Sequence, residues 1–180
     1  MRTSNVGNSW ASGSVTVAAD HSGSAVFALP VVKPATAATT LAPPATGAFN
    51  AGSAQSGGST CLKVTYTGSL PADLRLYATV SGDLAEHLLL SVDTGTSAAA
   101  GTDATCTGFT STGYLLGSAT NTDVTVADMP TGYTAGLAWN GVASGSSRWY
   151  RLSWLLPSGV PDSVQGERVE ARFVWEAQNT

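Results

Sequence analysis

The chain has 180 residues, enough for one domain with a buried core. A net charge of -4, with eight Lys and Arg scattered along the chain, excludes the basic patch a nucleic-acid surface needs. No apolar run approaches the ~20 residues of a membrane-spanning helix, so no transmembrane segment is expected.

Only 11% of residues are charged, so Ser, Thr, Asn and Gly must solvate the surface, as in many secreted β-proteins. With 43% hydrophobic residues the chain is no charged disordered segment. Met1-Arg2-Thr3-Ser4-Asn5 holds no apolar signal core. Either the protein is cytosolic, or a signal has been removed and Met1 is not the native start. We expect the second.

Residues 1–13 are polar, with Trp10 as the one large anchor. Ser14 to Ala19 alternates Val15 and Val17 with Thr16, Asp20 to Gly23 is a turn cluster, and Ala25, Phe27 and Leu29 share a face. That pattern predicts a hairpin. Pro30 to Thr60 holds Pro30, Pro34, Pro43 and Pro44, a Gly/Ser-rich tail and Lys33 as its only charge. It predicts a long surface loop over 30–60, not a domain boundary. Cys61 to Thr67 and Ala72 to Val80 both alternate and read as strands. Ser81 to His87 predicts a helical turn capped by Ser81, and Leu88 to Val92 a strand. Thr94 to Thr105 reads as a small-residue loop ending at Cys106 and Phe109. Tyr114-Leu115-Leu116 is an apolar knot, Asn121 to Gly136 irregular or briefly helical, and Leu137 and Trp139 add bulk before a loop over Gly141 to Ser146.

The end of the chain has the clearest pattern. Tyr150, Leu152, Trp154 and Leu156 form one face of a strand whose other face carries Trp149, Arg151, Ser153 and Leu155, which predicts a central strand. In the last strand Val169, Ala171, Phe173, Trp175 and Ala177 alternate with Arg168, Glu170, Arg172, Val174 and Glu176. One face is apolar and the other reads as solvated and charged. Pro157 to Asp162 separates the two strands. About seven or eight short strands and no long amphipathic helix predict an all-β sandwich in a single domain, 1–180.

Chemistry is sparse. His21 and His87 stand apart, and neither HExxH nor GxSxG occurs. Gly57-Gly58 and Gly68 show no phosphate-loop pattern. Glu170 and Glu176 suggest a glycosidase pair less readily than a solvated strand face. No enzyme activity and no cofactor is expected. Cys61 and Cys106 are either buried thiols or, as we expect from the secreted-type composition, a disulfide. Closing that loop would stabilise by roughly 4 kcal/mol. Trp154 and Trp175 read as core, while Trp149 and Trp10 are the candidates for exposure or for contact with another chain.

Several ordered blocks resemble a known family. They are Asn8 to Val15 (NSWASGSV), Ser59 to Tyr77 (STCLKVTYTGSLPADLRLY), Leu84-Ala85 with Leu88 to Val92, Cys106 to Phe109 (CTGF), Tyr150-Arg151-Leu152, Gln165-Gly166, and Phe173 to Ala177 (FVWEA). In this order the chain resembles the TasA/camelysin family of secreted biofilm-matrix fibre proteins, in the actinobacterial form that depends on a dedicated signal peptidase. Ala51-Gly52 stands where that family has a Pro-Gly turn, and 30–50 is longer than its counterpart.

The resemblance implies a jelly-roll-like β-sandwich with a few short helical turns. It also implies secretion to the extracellular matrix or cell surface and polymerisation by donor-strand complementation. The donor would be Arg2, Thr3, Ser4, Asn5 and Val6, within a remnant spanning 1–9. That stretch lacks the family's apolar residues, so the expectation is filaments from the native chain and a largely monomeric chain when it starts at Met1. The expected partners are further copies of itself, head to tail, and other matrix or cell-wall components. The alternative is a monomeric surface adhesin or carbohydrate-binding module using exposed tryptophans such as Trp149.

Overall fold

The structure is a computed structural model that describes residues 2–4, 6–7, 17–19, 56–97, 106–157, 160–164, 167 and 169–179. Among these residues the strands are β1 (Arg2–Ser4), β2 (Val6–Gly7), β3 (Val17–Ala19), β4 (Ser56–Tyr66), β5 (Ala72–Ser81), β6 (Leu89–Ser97), β7 (Phe109–Leu116), β8 (Leu137–Val142), β9 (Ser147–Leu156) and β10 (Glu170–Asn179). The only helical elements among them are short 3-10 turns at Asp83–Glu86, Val126–Asp128, Tyr133–Ala135 and Asp162–Val164.

The strands form two antiparallel sheets, ordered β2-β1-β10-β5-β8 and β3-β4-β9-β6-β7. With the short outlying β2 and β3 set aside, β1-β10-β5-β8 faces β4-β9-β6-β7. This is the strand order of a jelly roll, in which strands that follow one another often lie in opposite sheets. The two closing strands do the same. β10 lies inside the first sheet and β9 at the centre of the second, joined through the proline-bounded link.

The alternation in the sequence explains the core. Leu62, Val64, Tyr66, Leu90, Val92, Tyr150 and Leu152 project from the second sheet onto Leu74, Leu76, Ala78, Phe173, Trp175 and Ala177 of the first. Tyr150 meets Trp175 edge-on, with ring centroids 5.7 Å apart. Burial pushes the Tyr150 hydroxyl up to about 12, against some lowering by nearby Arg148. Gly58 lies opposite Trp154 in the β4–β9 ladder, and a Cβ there would come within 2.7 Å of the indole. Glycine at this site lets the indole lie flat over the strand.

Several expectations change. The stretch read as loop over 30–60 ends earlier, because β4 starts at Ser56 and pairs with β9 from Ser56↔Leu156 to Thr65↔Ser147. The first helical turn is capped by Gly82, not Ser81, which ends β5. β6 runs on to Ser97 through residues read as loop, and Phe109 to Leu116 is its partner strand β7. Leu137 and Trp139 belong to a strand, β8. Of the expected first hairpin, Val17–Ala19 pairs with β4, and the rest lies outside the described residues.

Candidate strand-acceptor edge

β10 is ten residues long, and β5 pairs with it throughout, from Glu170↔Ser81 to Asn179↔Ala72. Its other side carries β1, whose ladder among the described residues includes Arg2↔Glu176 and Thr3↔Trp175. β2 then folds back on β1 through Thr3↔Gly7 and Ser4↔Val6. Of the predicted donor residues, Arg2, Thr3 and Ser4 therefore lie against the chain's own β10, Val6 lies in β2, and Asn5 is outside the described residues.

The inner face of β10 is apolar, as its pattern predicts. Its outer face is solvated only in part. Glu170 and Arg172 are exposed, as expected, but Val174 is buried and Glu176 is only 8% exposed, which corrects the reading of that face as solvent-facing throughout. Tyr77 Oη donates to Glu176 Oε2 at 2.6 Å, and Gln178 Nε2 donates to Oε1 at 3.2 Å. In the sequence Tyr77, itself buried, shows only as one residue of an alternating face.

Arg75 stands opposite Glu176 on β5, but its guanidinium serves β8. Nη1 donates to Asn140 Oδ1 at 2.7 Å, and the group lies 5.8 Å from the Tyr133 ring centroid. Tyr133 Oη donates to the Asp73 carbonyl at 2.9 Å, and Gly141 N donates to Asp73 Oδ1 at 2.8 Å. This far edge is thus tied down by polar contacts.

The outer face of the second sheet is built differently. Cys61 and Cys106 form a disulfide with Cα atoms 5.0 Å apart. In register with Cys61 across β9 and β6 lie Arg151 and Asp93. Arg151 grips Asp93 with two bonds, Nε–Oδ1 at 3.0 Å and Nη2–Oδ2 at 2.7 Å, and Asp93 is 0% exposed. These bonds raise the Arg151 pKa further above its ordinary value, so the cation stays charged. The Phe109 ring covers the guanidinium at 4.7 Å. Trp149, a candidate for exposure or for contact with another chain, is only 8% exposed and closes the same face. Trp10 lies outside the described residues. The sequence signal for this pair is an arginine between Trp149 and Leu155 on the second, still partly apolar, face of a central strand.

Among the described residues, the sequence candidates for covalent chemistry do not come together. Glu170 and Glu176 sit on one strand, roughly 20 Å apart at the usual rise, too far for a glycosidase pair. His87 follows the first 3-10 turn, and His21 is outside the described residues. Among the described residues no group of three or more His, Cys, Asp or Glu is placed to hold a metal ion, and no helix is long and apolar enough to cross a membrane. What the first sheet does offer is an internal strand whose outer neighbour, Arg2–Ser4 among the described residues, is polar and drawn from the start of the sequence. No protein-family model matches the chain, and no curated protein matches it.

Proposed function

We propose that the chain is a structural subunit of an extracellular fibre or biofilm matrix, polymerising by exchange of β1. The segment from Arg2 to Val6 would leave its own β10 and complete the sheet of the next subunit. One observation carries this reading: the first strand of the jelly roll comes from the start of the sequence and, among the described residues, pairs with β10 at Arg2↔Glu176 and Thr3↔Trp175, on the side of β10 that β5 leaves open.

Physical reasons favour the exchange. An uncovered sheet edge is a template for another chain. Exchange replaces one β1–β10 contact by an identical one, so its net cost is small. The contact joins two different surfaces, so repetition makes a filament instead of a closed dimer. The disulfide fits an oxidising, extracellular setting. The resemblance of the ordered sequence blocks to matrix fibre subunits points the same way. The adhesin reading loses its main residue, since Trp149 is buried.

The test is electron microscopy and sedimentation of the chain with its native N-terminus as concentration rises. Filaments are expected. A monomer at every concentration would sink the proposal.

A further inference from the structure

The register of a strand is normally set by its apolar face, because a slip of one residue turns that face to solvent. β1 has no such face. Its residues are Arg2, Thr3 and Ser4, and Arg2 is the only charged residue before Asp20. Some other feature must decide where a strand of this kind docks on β10.

Glu176 supplies it. Residues directly opposite in an antiparallel ladder share a face, and Arg2 is opposite Glu176. Glu176 is a carboxylate at 8% exposure, so its charge matters more than that of a surface residue. Tyr77 and Gln178, both neutral, fix the two oxygens in place. Arg75, opposite on the other side, sends its guanidinium to Asn140 on β8. A slip of two residues would keep the face but put the uncharged Ser4 opposite Glu176. Only the observed register pairs charge with charge.

We propose that Glu176 is the positioning residue of the acceptor edge. In the fibre it selects a strand of a second copy that carries a cation at the position of Arg2, and it sets that strand's register. This rests on the strand-exchange reading above and adds the residue that makes the exchange selective. Opposite charges placed directly across a ladder stabilise, and like charges there repel.

The test uses full chains with their native N-terminus at low ionic strength, comparing the unmodified protein with Arg2→Glu and Glu176→Arg variants. Each variant alone carries the like-charge pair in its own closed subunit as well as at a junction, so the decisive comparison is with the mixture. A one-to-one mixture of the two variants should assemble at about tenfold lower protein concentration than either variant alone. Every junction between unlike chains then pairs opposite charges, in the native order at one end of a chain and in the reversed order at the other. Differently labelled chains should therefore alternate along each filament. Glu176→Gln guards against misfolding, because it keeps an acceptor for Tyr77. In that background Arg2→Glu should have no further effect. If the mixture assembles no more readily than either variant alone, Glu176 does not select the strand, although strand exchange itself survives. If the unmodified chain does not assemble, both ideas fall.

Discussion

The two outer faces of the sandwich are closed in opposite ways. On the second sheet, a disulfide, a bidentate ion pair, an aromatic ring and an indole join β4, β9, β6 and the approach to β7. On the first sheet, the outer neighbour of β10 is β1, for which the described residues show backbone pairing at Arg2↔Glu176 and Thr3↔Trp175. Stability within a domain is uneven, and segments that exchange are drawn from its weak end. The contrast sets a body fastened on one face against β1 on the other sheet, the strand that the proposed exchange would release.

The strongest way to break this comparison is to unfasten the second sheet. Replacing Cys61 and Cys106 together by Ala should cost roughly 4 kcal/mol in urea unfolding, from the loop the bond closes. A loss under about 1 kcal/mol would show that the face is held without it. Next in size is Arg151→Leu, which leaves Asp93 buried without its cation and should cost about 3 kcal/mol. Replacing Asp93 by Leu as well should recover much of that loss, because an apolar pair of similar volume needs no counter-charge.

The core between the two faces should show itself through pH. The folded pKa of Tyr150, near 12, lies above its unfolded value of about 10. The unfolded chain therefore releases this proton first as pH rises. The contribution is fully present below pH ~10 and is lost on the way to pH ~12, by about 2 to 3 kcal/mol. Tyr150→Phe should make the alkaline fall in melting temperature shallower. An unchanged slope would mean that the hydroxyl is not protected.

The smallest effect on stability is expected at β1. Thr3→Pro removes one donor from β1 and should cost less than about 1 kcal/mol in the isolated subunit. An equal loss at a junction would shift the protein concentration needed for filaments by no more than about fivefold, as read by sedimentation. A larger shift would show that β1 is held more firmly in the fibre than in the subunit.

Much of the sandwich is legible in the sequence where one face of a strand is buried and the other wet. β4, β5 and β9 read correctly because Leu62, Val64 and Tyr66, then Leu74 and Leu76, then Tyr150 and Leu152 recur with period two. β7 escapes such a reading for a physical reason. It is an edge strand, mostly exposed and interrupted by Gly113, so Phe109 to Leu116 has little apolar alternation to show. Glu176 and Trp149 mislead for the converse reason: period two tells which residues share a face, not whether something covers it. The donor segment is named from resemblance to a family. That it lies against β10, with Arg2 opposite Glu176, depends on two distant parts of the chain meeting, and local sequence carries no record of that.

The Cys61–Cys106 bond has one more consequence. With a sequence separation of 45, it turns part of the chain into a covalent ring that contains the whole of β5 from one sheet and β6 from the other. A single backbone nick inside that ring opens it without releasing a fragment, whereas a nick anywhere else divides the molecule in two. A protease working on an assembled fibre could therefore cut within the ring and leave every subunit covalently whole until a reductant arrives.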